Sequence, residues 1–134
     1  MFVNAINRIT KSMFPIFRVN KISNNQMQIA VVGTGFFIDP KGAFVTVAHI
    51  FDDADKNSEF LYMGRLPEEI IQPPVKIIEV FKKDEKDIFV GRVGLKKTEP
   101  AVFANSVSSI GQSVCISGYP LAKLMPNNQG GMEV

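Results

Sequence analysis

A chain of 134 residues that is 46% hydrophobic, with a mean hydropathy of +0.09, has the size and composition of one globular domain with its own core. Fifteen Lys and Arg stand against thirteen Asp and Glu, scattered among one another, so the net charge of +2 implies neither nucleic-acid binding nor docking to an anionic membrane. One cysteine excludes an intrachain disulfide, and no run approaches the roughly eighteen apolar residues of a membrane span.

The first seventeen residues set Asn7, Arg8, Lys11 and Ser12 inside every apolar stretch and offer no small-residue cleavage site. No signal peptide is therefore expected, and the cytoplasm is the default compartment. Val3, Ile6, Ile9 and Met13 fall close to helical spacing, so residues 1–13 read as a short helix or a loose arm. Phe14–Val19 reads as a first strand, Ser23-Asn24-Asn25 as a turn, and Met27–Val32 as a strand leading into Gly33-Thr34-Gly35. Two glycines astride a threonine inside a strand predict a bulge or a close approach of chain segments. A phosphate-cradling loop is disfavoured, because no G-K-[ST] follows and no helix begins there. Asp39-Pro40-Lys41-Gly42 is a tight turn: proline presets φ and glycine accepts φ > 0 at the exit. Ala43–Val47 resumes a strand-like run, making a hairpin that ends in Ala48 and His49, the only histidine.

Ile50–Asp55 has room for one helical turn. Asp52, Asp53 and Asp55 are rich in oxygen, but the D-x-[DN]-x-[DN]-G ladder and bidentate Glu of a calcium loop are missing. A solvated acidic loop without metal is the expectation. Phe60–Met63 reads as a short strand, and residues 66–74 as a connection broken by Pro67, Pro73 and Pro74. Val75–Lys82 alternates in part, Lys83–Lys86 is a charged turn, and Asp87–Val93 is the next strand. About six short strands with little helix predict an all-β fold, a six-stranded antiparallel barrel over residues 14–94. Residues 95–112 read as a linker leading away from it, Ser113–Ser117 as one further strand, and Lys123–Val134 as an exposed loop stopping mid-course.

Histidine is the side chain whose ordinary pKa allows it to take and return a proton near neutral pH. By pattern alone His49 is most simply a half-buried polar residue bonded to backbone. The order of motifs changes that. Gly33-Thr34-Gly35-Phe36-Phe37-Ile38-Asp39, then Gly42, then Val45-Thr46-Val47-Ala48-His49, resembles the first-barrel signature of trypsin-like serine peptidases, nearest to the bacterial DegP/HtrA-type branch. Lys86-Asp87-Ile88-Phe89-Val90 is similar to that family's D-[IL]-A-[VL] strand, with Phe89 replacing the usual small residue. Gly111-Gln112-Ser113-Val114-Cys115-Ile116-Ser117-Gly118-Tyr119-Pro120 resembles the run that opens the second barrel.

The resemblance implies a first trypsin-type barrel over 14–94, an inter-barrel linker over 95–112, and the start of an incomplete second barrel over 113–134. It implies His49 as the general base and Asp87 as the carboxylate that orients it, 38 positions later, with peptide or protein as substrate and no cofactor. Asp84 is a rival carboxylate, but it lacks the apolar strand that follows Asp87. The nucleophile is missing: no G-[DN]-S-G-G occurs, and Ser117 lacks its flanking pattern. Gln129, in Asn127–Gly131, takes the serine's place only superficially, since an amide cannot attack. Cys115, between Val114 and Ile116, is expected as a buried strand thiol. The expectation is thus the N-terminal portion of a peptidase, truncated or a natural remnant, and inactive alone. The rivals are a non-catalytic barrel that captures peptides, and a small barrel of unrelated role. An unfinished second half would also expose apolar surface and favour self-association.

Overall fold

A computed structural model describes residues 2–52, 58–62 and 75–119, together with the backbone of 122–126 and 132–133. The expected connection over 66–74, Asp53 and Asp55, and the loop around Gln129 lie outside the described residues. The chain opens with helix α1 (Val3–Thr10), which resolves the choice between helix and arm. Strands β1 (Met13–Ser23), β2 (Gln26–Phe37), β3 (Ala43–Thr46), β4 (Ser58–Tyr62), β5 (Val75–Lys83) and β6 (Ile88–Val93) follow. They pair antiparallel in the order β1-β4-β5-β6-β3-β2, and β2 pairs with β1 again, so the sheet closes into a six-stranded barrel. Closure covers most of the free edges that an open sheet of this size would present.

Side-chain alternation fills the barrel. Phe14 and Ile16 from β1, Phe37 from β2, Phe44 from β3, and Phe89 and Val93 from β6 are buried together, with Phe60, Tyr62, Val75 and Ile77 of β4 and β5 packed against them. Spacings of two within a strand put these residues on one face. The rings interlock: Phe14 stacks on Phe37 at 4.6 Å between centroids and meets Phe44 edge-on at 5.0 Å. Phe17 and Val31 form a second, smaller cluster with Ile29, Leu61 and Tyr119.

The Gly33-Thr34-Gly35 segment shows both features its composition predicts. Pairing slips from Ile16 opposite Gly33 to Phe17 opposite Val31, leaving Val32 as the bulged residue. A Cβ on Gly35 would sit 2.6 Å from the buried Phe14 ring, so a side chain there would displace the core. The following turn is built by Asp39, whose Oδ1 accepts from the backbone N–H of Lys41 and Ala43 at 2.8 and 2.9 Å. Gly42 sits at φ 92°, where a Cβ would fall 2.0 Å from the Val93 carbonyl oxygen.

Several expectations are corrected beyond residue 94. The stretch 95–112 does not leave the barrel at once. Buried Thr98 donates from Oγ1 to the Asp39 carbonyl and accepts from the Gly42 N–H, and the Ala101 N–H donates to the Phe37 carbonyl at 2.7 Å. Ser113–Ser117 is no strand: it is irregular, with Ile116 97% exposed and Cys115 exposed rather than buried. Among the described residues no strand lies alongside to pair with it, and an unpaired strand gains nothing over hydrated chain. The sheet grows elsewhere, in a region expected to be loop. β3 reaches only Phe36 and Phe37 of β2, which leaves the edge of Ile29–Val31 to β7 (Ala122–Pro126), and β7 in turn pairs with β8 (Met132–Glu133).

Candidate active site

Antiparallel register brings the two chemically marked residues together. Ala43 pairs with Arg92, Phe44 with Gly91, Val45 with Val90 and Thr46 with Phe89. Extending that register two residues past the end of β3 sets Ala48 opposite Asp87, and the Ala48 N–H donates to the Asp87 carbonyl at 3.2 Å. The chain then enters a single 3₁₀ turn, Ala48–Phe51, with His49 as its second residue. A small residue is required at position 48, because Ala48 is buried in the barrel core immediately beside the imidazole. Phe51, at the end of this turn, stacks on Phe89 at 4.0 Å and meets Phe60 edge-on at 4.6 Å. Phe89, bulky where the motif usually has a small residue, is thus the platform for the histidine turn.

On the facing side, Asp84–Lys86 forms another 3₁₀ turn that ends at Asp87, held in the left-handed conformation at φ 54° and ψ 41°. Asp and Asn tolerate this region better than other residues with a Cβ. The twist aims the carboxylate back along β3. Its Oδ1 accepts the His49 backbone N–H at 2.8 Å, and its Oδ2 lies 2.7 Å from His49 Nδ1. The bond from His49 Nδ1, supported by the His49 main-chain N–H, holds the Asp87 carboxyl below its ordinary range against the opposing effect of partial desolvation. An ionised carboxylate only accepts, so the proton of the neutral imidazole sits on Nδ1 and Nε2 is left with its lone pair. Both side chains remain open to solvent, His49 66% and Asp87 45% exposed.

Threonines fix the strands around the pair. Buried Thr46 donates from Oγ1 to the Thr34 carbonyl at 2.8 Å, and Thr34 Oγ1 accepts the Tyr119 N–H at 2.8 Å. The G-T-G segment, the T-V-A-H segment and the G-Y-P segment therefore meet through two hydroxyls. Of the rival groups, Asp84 does not face the imidazole: its Oδ1 lies 3.2 Å from Lys82 Nζ, which also approaches Asp52 Oδ1 at 3.6 Å. Cys115 and Ser117 border a cleft against Phe2, Ala5, Ile6 and Ile9, away from His49. Nothing in the local sequence pattern distinguishes Lys82 from the neighbouring Lys83.

The family model of the trypsin-like peptidase domain matches residues 33–132, from the first glycine of G-T-G through both members of the pair. The chain belongs to the trypsin-like peptidase family. No curated protein matches it. The closed six-stranded barrel is consistent with that family's fold.

Proposed function

We propose that His49 and Asp87 are the general base and the orienting acid of a serine-type endopeptidase of the HtrA-like branch, and that this chain is its N-terminal portion, lacking the nucleophile. The observation that carries the reading is the 2.7 Å contact between His49 Nδ1 and Asp87 Oδ2. In such a site Nε2 takes the proton of an attacking serine hydroxyl and gives it to the amine that leaves as the C–N bond breaks and the acyl-enzyme forms. Water, deprotonated by the same nitrogen, then cleaves the ester and restores the serine. Asp87 holds the tautomer and stabilises the imidazolium. The serine and the N–H groups for the oxyanion lie in a G-[DN]-S-G-G segment that these 134 residues do not contain, so the chain alone is inactive.

The substrate is an extended peptide or protein. Exposed Val102, Phe103, Val107, Ile110, Val114 and Ile116 make self-association of the isolated chain the expected behaviour at high concentration. The absence of a nucleophile motif favours one alternative, a non-catalytic barrel that binds peptides. Labelling with an alkyl fluorophosphonate separates the two. The 134-residue chain should take no label, whereas the product of the full reading frame containing it should be labelled at one serine. His49→Ala in that product should lower turnover by roughly 10⁴- to 10⁶-fold. Labelling that is indifferent to His49, or a full product with no reactive serine, would overturn the peptidase reading.

A further inference from the structure

We infer that Lys82 is a positioning residue for the His49–Asp87 pair, a cationic clamp spanning the two turns that carry them. Lys82 lies near the end of β5, opposite Phe89 in the register with β6. Its side chain is 26% exposed, and its ammonium stands 3.2 Å from Asp84 Oδ1 and 3.6 Å from Asp52 Oδ1. Those two carboxylates occupy corresponding positions. Asp52 comes three residues after His49, and its N–H donates to the His49 carbonyl at 3.1 Å. Asp84 comes three residues before Asp87, and its carbonyl accepts the Asp87 N–H at 3.0 Å. Each is therefore tied by one short turn to the backbone of one member of the pair, and a single ammonium joins the two turns.

Without that cation, Asp52 and Asp84 would be left as like charges on turns that must approach each other. Partly exposed ion pairs add little to global stability, so the consequence of the clamp is local: it limits how far the imidazole and the carboxylate drift apart. Hydrogen bonding to Asp84 and the attraction of both carboxylates keep the ammonium protonated above its ordinary range.

The inference rests on the acid–base reading of His49 and Asp87, but its test needs no turnover. The chain has one histidine, so the ¹⁵N shifts of its ring nitrogens report the Nδ1–H to Nε2–H tautomer ratio without overlap. At a pH where the imidazole is neutral, Lys82→Met should lower that ratio by about fivefold, the scale of two partly exposed ion pairs. Lys82→Arg should restore it. An unchanged ratio in Lys82→Met overturns the clamp, and so does an equal loss in Lys82→Arg, which would trace the effect to packing of the stem. Should Lys82→Met fail to fold, the double variant Asp52→Asn with Asp84→Asn leaves the stem in place and carries the test: a comparable fall supports the clamp and an unchanged ratio overturns it. A failed serine-labelling experiment would remove the catalytic reading and leave this result standing.

Discussion

Phe89→Ala tests whether the histidine turn is carried by the aromatic core beneath it. Phe89 is 3% exposed, stacks on Phe51 at 4.0 Å with 26° between ring planes, and lies 6.2 Å from Phe44. Truncating a buried phenylalanine to alanine costs about 3–5 kcal/mol, and loss of the Phe51 stack places this site toward the upper end of that range. Against a total stability of roughly 5–15 kcal/mol, that is a large fraction. The chain has no tryptophan, so urea unfolding followed by far-ultraviolet circular dichroism is the suitable assay, with the midpoint falling and the slope unchanged. Phe89→Leu, which keeps most of the volume, should cost less than about 1.5 kcal/mol. In the Phe89→Ala protein the tautomer ratio of His49 should fall as well, because Phe51 shares a four-residue turn with His49 and loses the ring it rests on. A destabilisation below about 1 kcal/mol would refute the platform, since no buried stack of this kind is so cheap to remove.

Thr98→Val should cost about 1–3 kcal/mol in the same unfolding assay, because the Gly42 N–H and the Asp39 carbonyl both lose a buried partner while the side-chain volume is kept. Gly42→Ala should be worse than a simple left-handed penalty of about 1–2 kcal/mol, since its Cβ would collide with the Val93 carbonyl, and thermal melting should show it. Asp87 and Asp39 both titrate below the ordinary value of 3.8 in the folded chain, Asp87 through its bond from His49 and Asp39 through the N–H groups of Ala43 and Lys41. A depressed folded pKa contributes stability that is present above the unfolded value and lost as pH falls through the folded one. Unfolding midpoints measured between roughly pH 5 and pH 2 should therefore drop less steeply in Asp39→Asn and Asp87→Asn than in the parent chain.

The barrel was legible because short apolar runs are separated by turns that carry their own chemistry. Asp39-Pro40-Lys41-Gly42 announces a reversal through residue type alone, and Phe14/Ile16 and Val75/Ile77 announce one buried face each. His49 and Asp87 were legible only as members of ordered motifs, since neither differs in local composition from an ordinary polar residue at a strand end. What the sequence hid was tertiary. The pairing of Ala122–Leu124 with Ile29–Val31 depends on β3 being too short to cover β2, which no local pattern records. The irregular course of Ser113–Ser117 has the same origin: five residues of good strand composition make a strand only where a neighbour is present. Lys82 was invisible because its partners, Asp52 and Asp84, lie 30 residues upstream and two downstream and meet only after the barrel closes.

If the proposed acid–base reading holds, the geometry separates two requirements of such a site, orientation and desolvation. Orientation of the His49 imidazole rests on contacts contributed entirely by one barrel: the β3–β6 register, the left-handed turn at Asp87, the Phe51–Phe89 stack and the hydroxyl of Thr46. None of these involves a nucleophile, so the 2.7 Å contact between His49 and Asp87 forms in a chain that contains no G-x-S-G-G segment. Desolvation does not follow the same course, because with 66% of the His49 side chain in water the pair has the connectivity of a triad without its low-dielectric surroundings. Burying the pair beneath further structure would strengthen each of its hydrogen bonds without moving an atom of the first barrel, since the energy of a charge-assisted bond rises as the local dielectric falls.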